Sequence, residues 1–160
     1  MKQICCTILL FFAFAGSHAQ DFADYFQNKT LRVDYIFTGN AERQNIYLDE
    51  LSQLPSWAGR QHRLSELPLE GNGQIIVKDL ATQQTIYKTS FSSLFHEWLS
   101  TDEAKETAKG FENTFLLPFP KQPAEVEISL YSPRKEVMAR YKHLVRPDDI
   151  LIHQHMKSRR

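Results

Sequence analysis

The chain has 160 residues, with 19 Lys plus Arg against 19 Asp plus Glu, so its formal net charge is zero. A neutral chain without a basic stripe is not built for nucleic-acid phosphates, and the short run Lys157-Ser158-Arg159-Arg160 reads as a solvated terminus. The length suits one domain, which can bury roughly two-thirds of its unfolded surface without a metal or a disulfide.

Lys2, the apolar run Ile8 to Ala15, and Ser17-His18-Ala19 have the order of an export signal, cleaved between Ala19 and Gln20. The run is shorter than the roughly 20 apolar residues that span a bilayer. No second run follows, so no membrane span is expected, and the location is periplasmic, outer-surface or secreted. Ala19 and Gln20 stand where a lipoprotein would carry its acceptor cysteine, so a lipid anchor is not expected. Cys5 and Cys6, the two cysteines, fall inside the signal. Disulfides, a cysteine nucleophile and cysteine-ligated zinc are therefore excluded from the mature chain.

Leu31, Val33, Tyr35 and Phe37 alternate with Thr30, Arg32 and Asp34, which predicts a strand with one buried face over 29–37, ended by Gly39-Asn40. Ile46-Tyr47-Leu48 is a shorter candidate, followed by the turn-rich Leu54 to Gly59. Gln74 to Lys78 and Thr85 to Thr89, joined by the polar 79–84, predict an antiparallel hairpin. A short helix is expected from Ser100 to Lys109, with Ser100 and Glu103 at capping-box spacing and Gly110 as C-cap, after a turn carrying Leu94, Phe95, Trp98 and Leu99.

Pro118, Pro120 and Pro123 demand an extended segment at a strand edge or between sheets. Val126, Ile128 and Leu130, then Val137, Ala139 and Tyr141, predict a second hairpin about Ser132-Pro133-Arg134. Ile150 and Ile152 are expected in a last strand after the turn at Pro147-Asp148-Asp149. The fold expected is an all-β antiparallel sandwich with one short helix. It spans 20–152, between a signal over 1–19 and a loose tail over 153–160.

Catalytic motifs fall short. His96-Glu97-Trp98-Leu99-Ser100 begins like a zincin helix, but Ser100 stands where the second imidazole belongs, so two-point metal binding is lost. His153 and His155 share one side of an extended segment, and with His143 they are the only candidate metal-binding set. Such a set would make the chain a self-sufficient metal hydrolase. Gly71-Asn72-Gly73 lacks the Lys-Ser/Thr of a phosphate loop and reads as a turn, and no Gly-x-Ser-x-Gly elbow exists. Asp102-Glu103 and Asp148-Asp149 lie where carboxylates serve caps and turns. Asn28-Lys29-Thr30 matches a glycosylation sequon, a short pattern that carries little meaning without a secreted eukaryotic context. Trp57 and Trp98 are candidates for stacking on a glycan or peptide partner if exposed, and for core if not.

Several segments taken together carry a resemblance: Phe22 to Phe26, Thr30 to Gly39, Leu54 to Arg60, Leu64 to Leu69, Leu94 to Trp98, and Phe111 to Thr114. Over about Asp21 to Ile152 the chain resembles the N-terminal domain of the bacterial IgA-type zinc metallopeptidases, metallopeptidase family sixty-four. The resemblance implies a β-sandwich placed before a catalytic domain, which holds the zinc ligands and general base in a His-Glu-x-x-His helix. No catalytic residue transfers to this chain, which ends at Arg160. The function expected is therefore a non-catalytic accessory domain without a cofactor of its own. Its partner is a peptidase domain, in cis or in trans, or a protein substrate. The alternative is an exported glycan- or protein-binding module.

Overall fold

A computed structural model describes residues 21–154. The predicted signal, its cleavage pair Ala19 and Gln20, and the tail from His155 onward lie outside the described residues. Eight strands form two four-stranded sheets. The first is ordered β5-β1-β2-β8, from β1 (Phe26–Gly39), β2 (Gln44–Leu54), β5 (Lys109–Pro120) and β8 (His153–Gln154). The second is ordered β4-β3-β6-β7, from β3 (Gly73–Asp79), β4 (Thr85–Phe91), β6 (Ala124–Tyr131) and β7 (Val137–Val145). Three short helices complete the fold: α1 (Phe22–Tyr25), α2 (Leu94–Leu99) and α3 (Glu103–Glu106). The all-β antiparallel sandwich read from the sequence is the fold of the molecule; only the two-residue β8 runs parallel to its neighbour. Among the described residues no helix is long and apolar enough to cross a membrane.

The period-two pattern places the core. Leu31, Val33, Tyr35 and Phe37 on β1 face Ile75 and Val77 of β3 and Val126, Ile128 and Leu130 of β6, and all of them are buried. Each such aliphatic or aromatic side chain removed from water contributes about 1.5–3 kcal/mol. At one end of the sandwich Phe37 lies within ring-contact range of Phe91, Phe95 and Phe115, joining both sheets to α2.

Four expectations need correction. β2 runs from Gln44 to Leu54, well beyond Ile46-Tyr47-Leu48, because its pairing with the long β1 extends it past a bulge opposite Asp34 and Tyr35. The helix expected over 100–109 is only the four residues of α3, and Lys109 and Gly110 already belong to β5. The capping box does not form: Ser100 Oγ donates to Glu97 O at 2.6 Å, and Glu103 accepts from Trp98 Nε1 at 2.9 Å and pairs with Lys109. The turn at 94–99 is instead α2, capped by Ser93, whose hydroxyl accepts from His96 N. Finally, Ile150 lies in a turn and Ile152 in a bend, and strand pairing begins at His153, opposite Ser52.

The proline segment behaves as its chemistry requires. Pro118 and Pro120 sit in β5, an edge strand, where a missing amide need not interrupt a ladder on the open side. The chain then crosses to the second sheet through Pro123.

Candidate functional site

Of the three candidate metal-binding histidines, the two that are described, His143 and His153, do not come together. His143 lies on β7 and His153 on β8, in different sheets, and His155 is outside the described residues. His143 reaches across the sandwich to the Tyr35 hydroxyl of β1, with Nε2 and Oη 2.6 Å apart and the rings edge to face. Its Nδ1 is buried without a hydrogen-bond partner. Burial depresses the His143 pKa to about 4, and the Leu144 backbone opposes this only in part. Burial likewise pushes the Tyr35 phenol far above its ordinary range, and Tyr141 adds to this. The pair is neutral at pH 7 and acts as a polar cross-link between sheets. His153 is exposed, with Nδ1 3.2 Å from Glu50 Oε1. Among the described residues no three His, Cys, Asp or Glu side chains cluster to hold a metal. With Nε2 of His143 taken by Tyr35 and Nδ1 of His153 by Glu50, these side chains do not fit the zinc of the resembled peptidases.

His96 borders a groove at one end of the sandwich formed by two neighbouring hollows of about 310 and 200 Å³. α2 forms one wall and the β6–β7 turn the other, with Ser132 and Pro133 shared by both hollows. The buried Asn72 shapes the floor: its Oδ1 accepts from Ser93 N at 3.0 Å and its Nδ2 donates to Ser93 Oγ at 3.2 Å. Lys135, at φ 65°, donates from Nζ to Gly71 O across the mouth. His96 therefore helps line a groove whose walls mix Ser93, Glu97 and Lys135 with the apolar Leu99, Pro133 and Met138.

Trp57 is buried, so it cannot present a stacking face to a glycan. Its Nε1 donates to Arg60 O at 3.1 Å, and its ring meets Tyr87 edge to face. Arg60 ties the 60–64 stretch of the connection to β4: it donates to the carbonyls of Arg63, Leu64 and Lys88, the last two at 3.0 and 2.5 Å, and lies 5.2 Å above the Tyr87 ring. Sequence reasoning passed over Arg60. The recognisable signal was an arginine following a Trp-Ala-Gly turn, where a fork of donors can satisfy several carbonyls at once.

Trp98 is half-buried against Phe95 and Phe111 and is held at its edge by Glu103, with Lys109 5.6 Å above the ring. Hydrogen bonds from Lys109 and Trp98 draw the Glu103 carboxyl below its ordinary pKa. The sequon residues are structural as well: Asn28 Oδ1 accepts from Trp57 N at 3.4 Å, and Thr30 Oγ1 donates to Ser56 O at 2.7 Å. Asp102 pairs with Lys105 at 2.6 Å, and Asp149 Oδ1 accepts from Leu151 N at 2.9 Å, local roles of the kind that caps and turns favour.

The segments that carry the resemblance thus fall in α1, β1, the Arg60 connection, α2 and β5. No curated protein matches the chain at a significant level. The family described as peptidase M64 N-terminus matches residues 21–142, which runs from α1 into β7 and takes in both sheets. The chain belongs to the peptidase M64 N-terminus family.

Proposed function

We propose that this chain is a non-catalytic accessory domain of an exported zinc peptidase, which supports or positions the peptidase domain or presents its protein substrate. The observation that carries the reading is the family match over 21–142, a region that holds the whole hydrophobic core except Val145 and Ile152. The side-chain chemistry agrees with it: His143, His153, Asp102, Glu103 and Asp149 are engaged in packing, local turns and surface pairs. A peptidase needs a polarised water or a nucleophile beside a base, and the groove beside His96 supplies neither. The test is to incubate the purified chain, with zinc added, with casein and with immunoglobulin. No hydrolysis above the buffer control is expected; cleavage abolished by a chelator would sink the proposal.

A further inference from the structure

The corner that follows β7 holds two large aliphatic side chains in water. Ile150 is 94 % exposed and Leu151 73 %, while the next residue, Ile152, is buried. The turn is built and not frayed: Asp149 N donates to Arg146 O at 3.0 Å, Ile152 N to Asp149 O at 3.2 Å, and Leu151 N to the Asp149 carboxylate at 2.9 Å. These bonds hold the backbone so that Ile152 turns inward and its two predecessors outward. Contiguous exposed apolar surface is the kind that marks protein contacts, and Ile150 and Leu151 stand side by side on this turn. β8 follows at once, with two rungs against Ser52 and Gln53 and its other side open at the sheet edge.

Taken with the accessory role proposed above, on which this inference rests, we infer that the Ile150-Leu151 turn is the contact by which the domain docks onto a peptidase domain of its family. The occupant follows from position. β8 ends beside this corner, and the family is by description the N-terminal part of a peptidase, so a peptidase domain following β8 would meet these two side chains first. The partner surface is an apolar patch, since the tip of the turn offers two aliphatic side chains. The groove beside His96 lies at the other end of the sandwich, because Gln44 lines it and Ser52, eight residues along β2, pairs with β8. That strand separation is about 26 Å at roughly 3.3 Å per residue.

The test mixes the purified chain with an M64-family peptidase domain prepared in active form and measures affinity by calorimetry. Three variants are compared with the parent chain: Ile150→Asp with Leu151→Asp, the milder Ile150→Ser with Leu151→Ser, and Leu94→Asp at the far end. The parent chain is expected to form a one-to-one complex. Both double variants should bind at least tenfold more weakly with melting temperature unchanged, and Leu94→Asp should bind like the parent. Double variants that bind as tightly as the parent would overturn the docking face and leave the accessory role standing. No complex with the parent chain would overturn both. Concentration-dependent self-association lost in the double variants would assign the turn to a second copy of this chain and overturn the choice of partner.

Discussion

Lowering the pH should expose the cost of burying His143. Its folded pKa is depressed to about 4 from an ordinary value of 6.5. The unfolded chain therefore takes up a proton below about pH 6.5 that the folded chain refuses until about pH 4. A group of this sign contributes stability that is present above the unfolded value and lost as pH falls through the folded one. At about 1.36 kcal/mol for each pH unit between the two values, roughly 3 kcal/mol is lost by pH 4 and roughly 2 kcal/mol by pH 5. Native carboxylates also titrate in this range, so the measurement is a difference. Urea unfolding of the parent chain and of His143→Gln is followed at pH 7, 6, 5 and 4 by tryptophan fluorescence. Glutamine keeps an acceptor for the Tyr35 hydroxyl but does not titrate, so its stability should fall less between pH 6.5 and 4, by about those amounts. Parallel loss in both proteins would refute the buried neutral histidine.

Arg60→Ala should destabilise the domain by about 2–3 kcal/mol through the lost carbonyl bonds and ring contact. Arg60→Lys should recover less than half of that in a thermal melt, since an ammonium cannot fork to both Leu64 and Lys88. Asn72→Ala leaves Ser93 N without its partner in a buried corner and should cost about 1–3 kcal/mol in urea titrations. Gly110→Ala should raise stability by about 0.4–1 kcal/mol, since a Cβ there would meet Thr38 and Ile36 at ordinary contact distances of 3.5 and 3.7 Å. Gly73→Ala should be strongly destabilising in the same assay, because the new carbon would run into the Phe91 ring.

The strands that were legible in the sequence are those whose apolar residues recur at period two, although burial is broader than that pattern, since Glu127 and Ser129 of β6 are buried as well and Val137 of β7 is exposed. β1, the β3–β4 hairpin and the β6–β7 hairpin are of this kind, and their turns fall at the expected residues. β5 was hidden by its own punctuation. Gly110 looked like a helix cap and the prolines marked a strand edge or a crossing without giving the strand its start, yet Phe111, Phe115, Leu117 and Phe119 pack inward with the same alternation. α2 was hidden for the opposite reason: six residues are too few for a helical period, and its cap depends on Asn72, far away in the chain. Tyr35 and His143 are 108 residues apart, so only the register of β7 on β6 places them together. Grouping His143 with His153 followed nearness in sequence, which the separation of β7 and β8 into different sheets overrides.

The central position of β1 has a consequence for how the chain acquires its structure. β1 is flanked by β2, which arrives immediately, and by β5, which arrives late: the Thr114 hydroxyl that meets Asp34 lies 80 residues downstream. Until β5 is added, a 14-residue strand with buried Leu31, Val33 and Phe37 keeps one side of its ladder unpaired. Closure over such a distance is slow, in the millisecond-to-second range of β-sandwiches. The intermediate with an open β1 edge is therefore the species most prone to pair with a neighbouring molecule. Conditions that lengthen its life, such as truncation before residue 109, should raise the fraction of chain that aggregates.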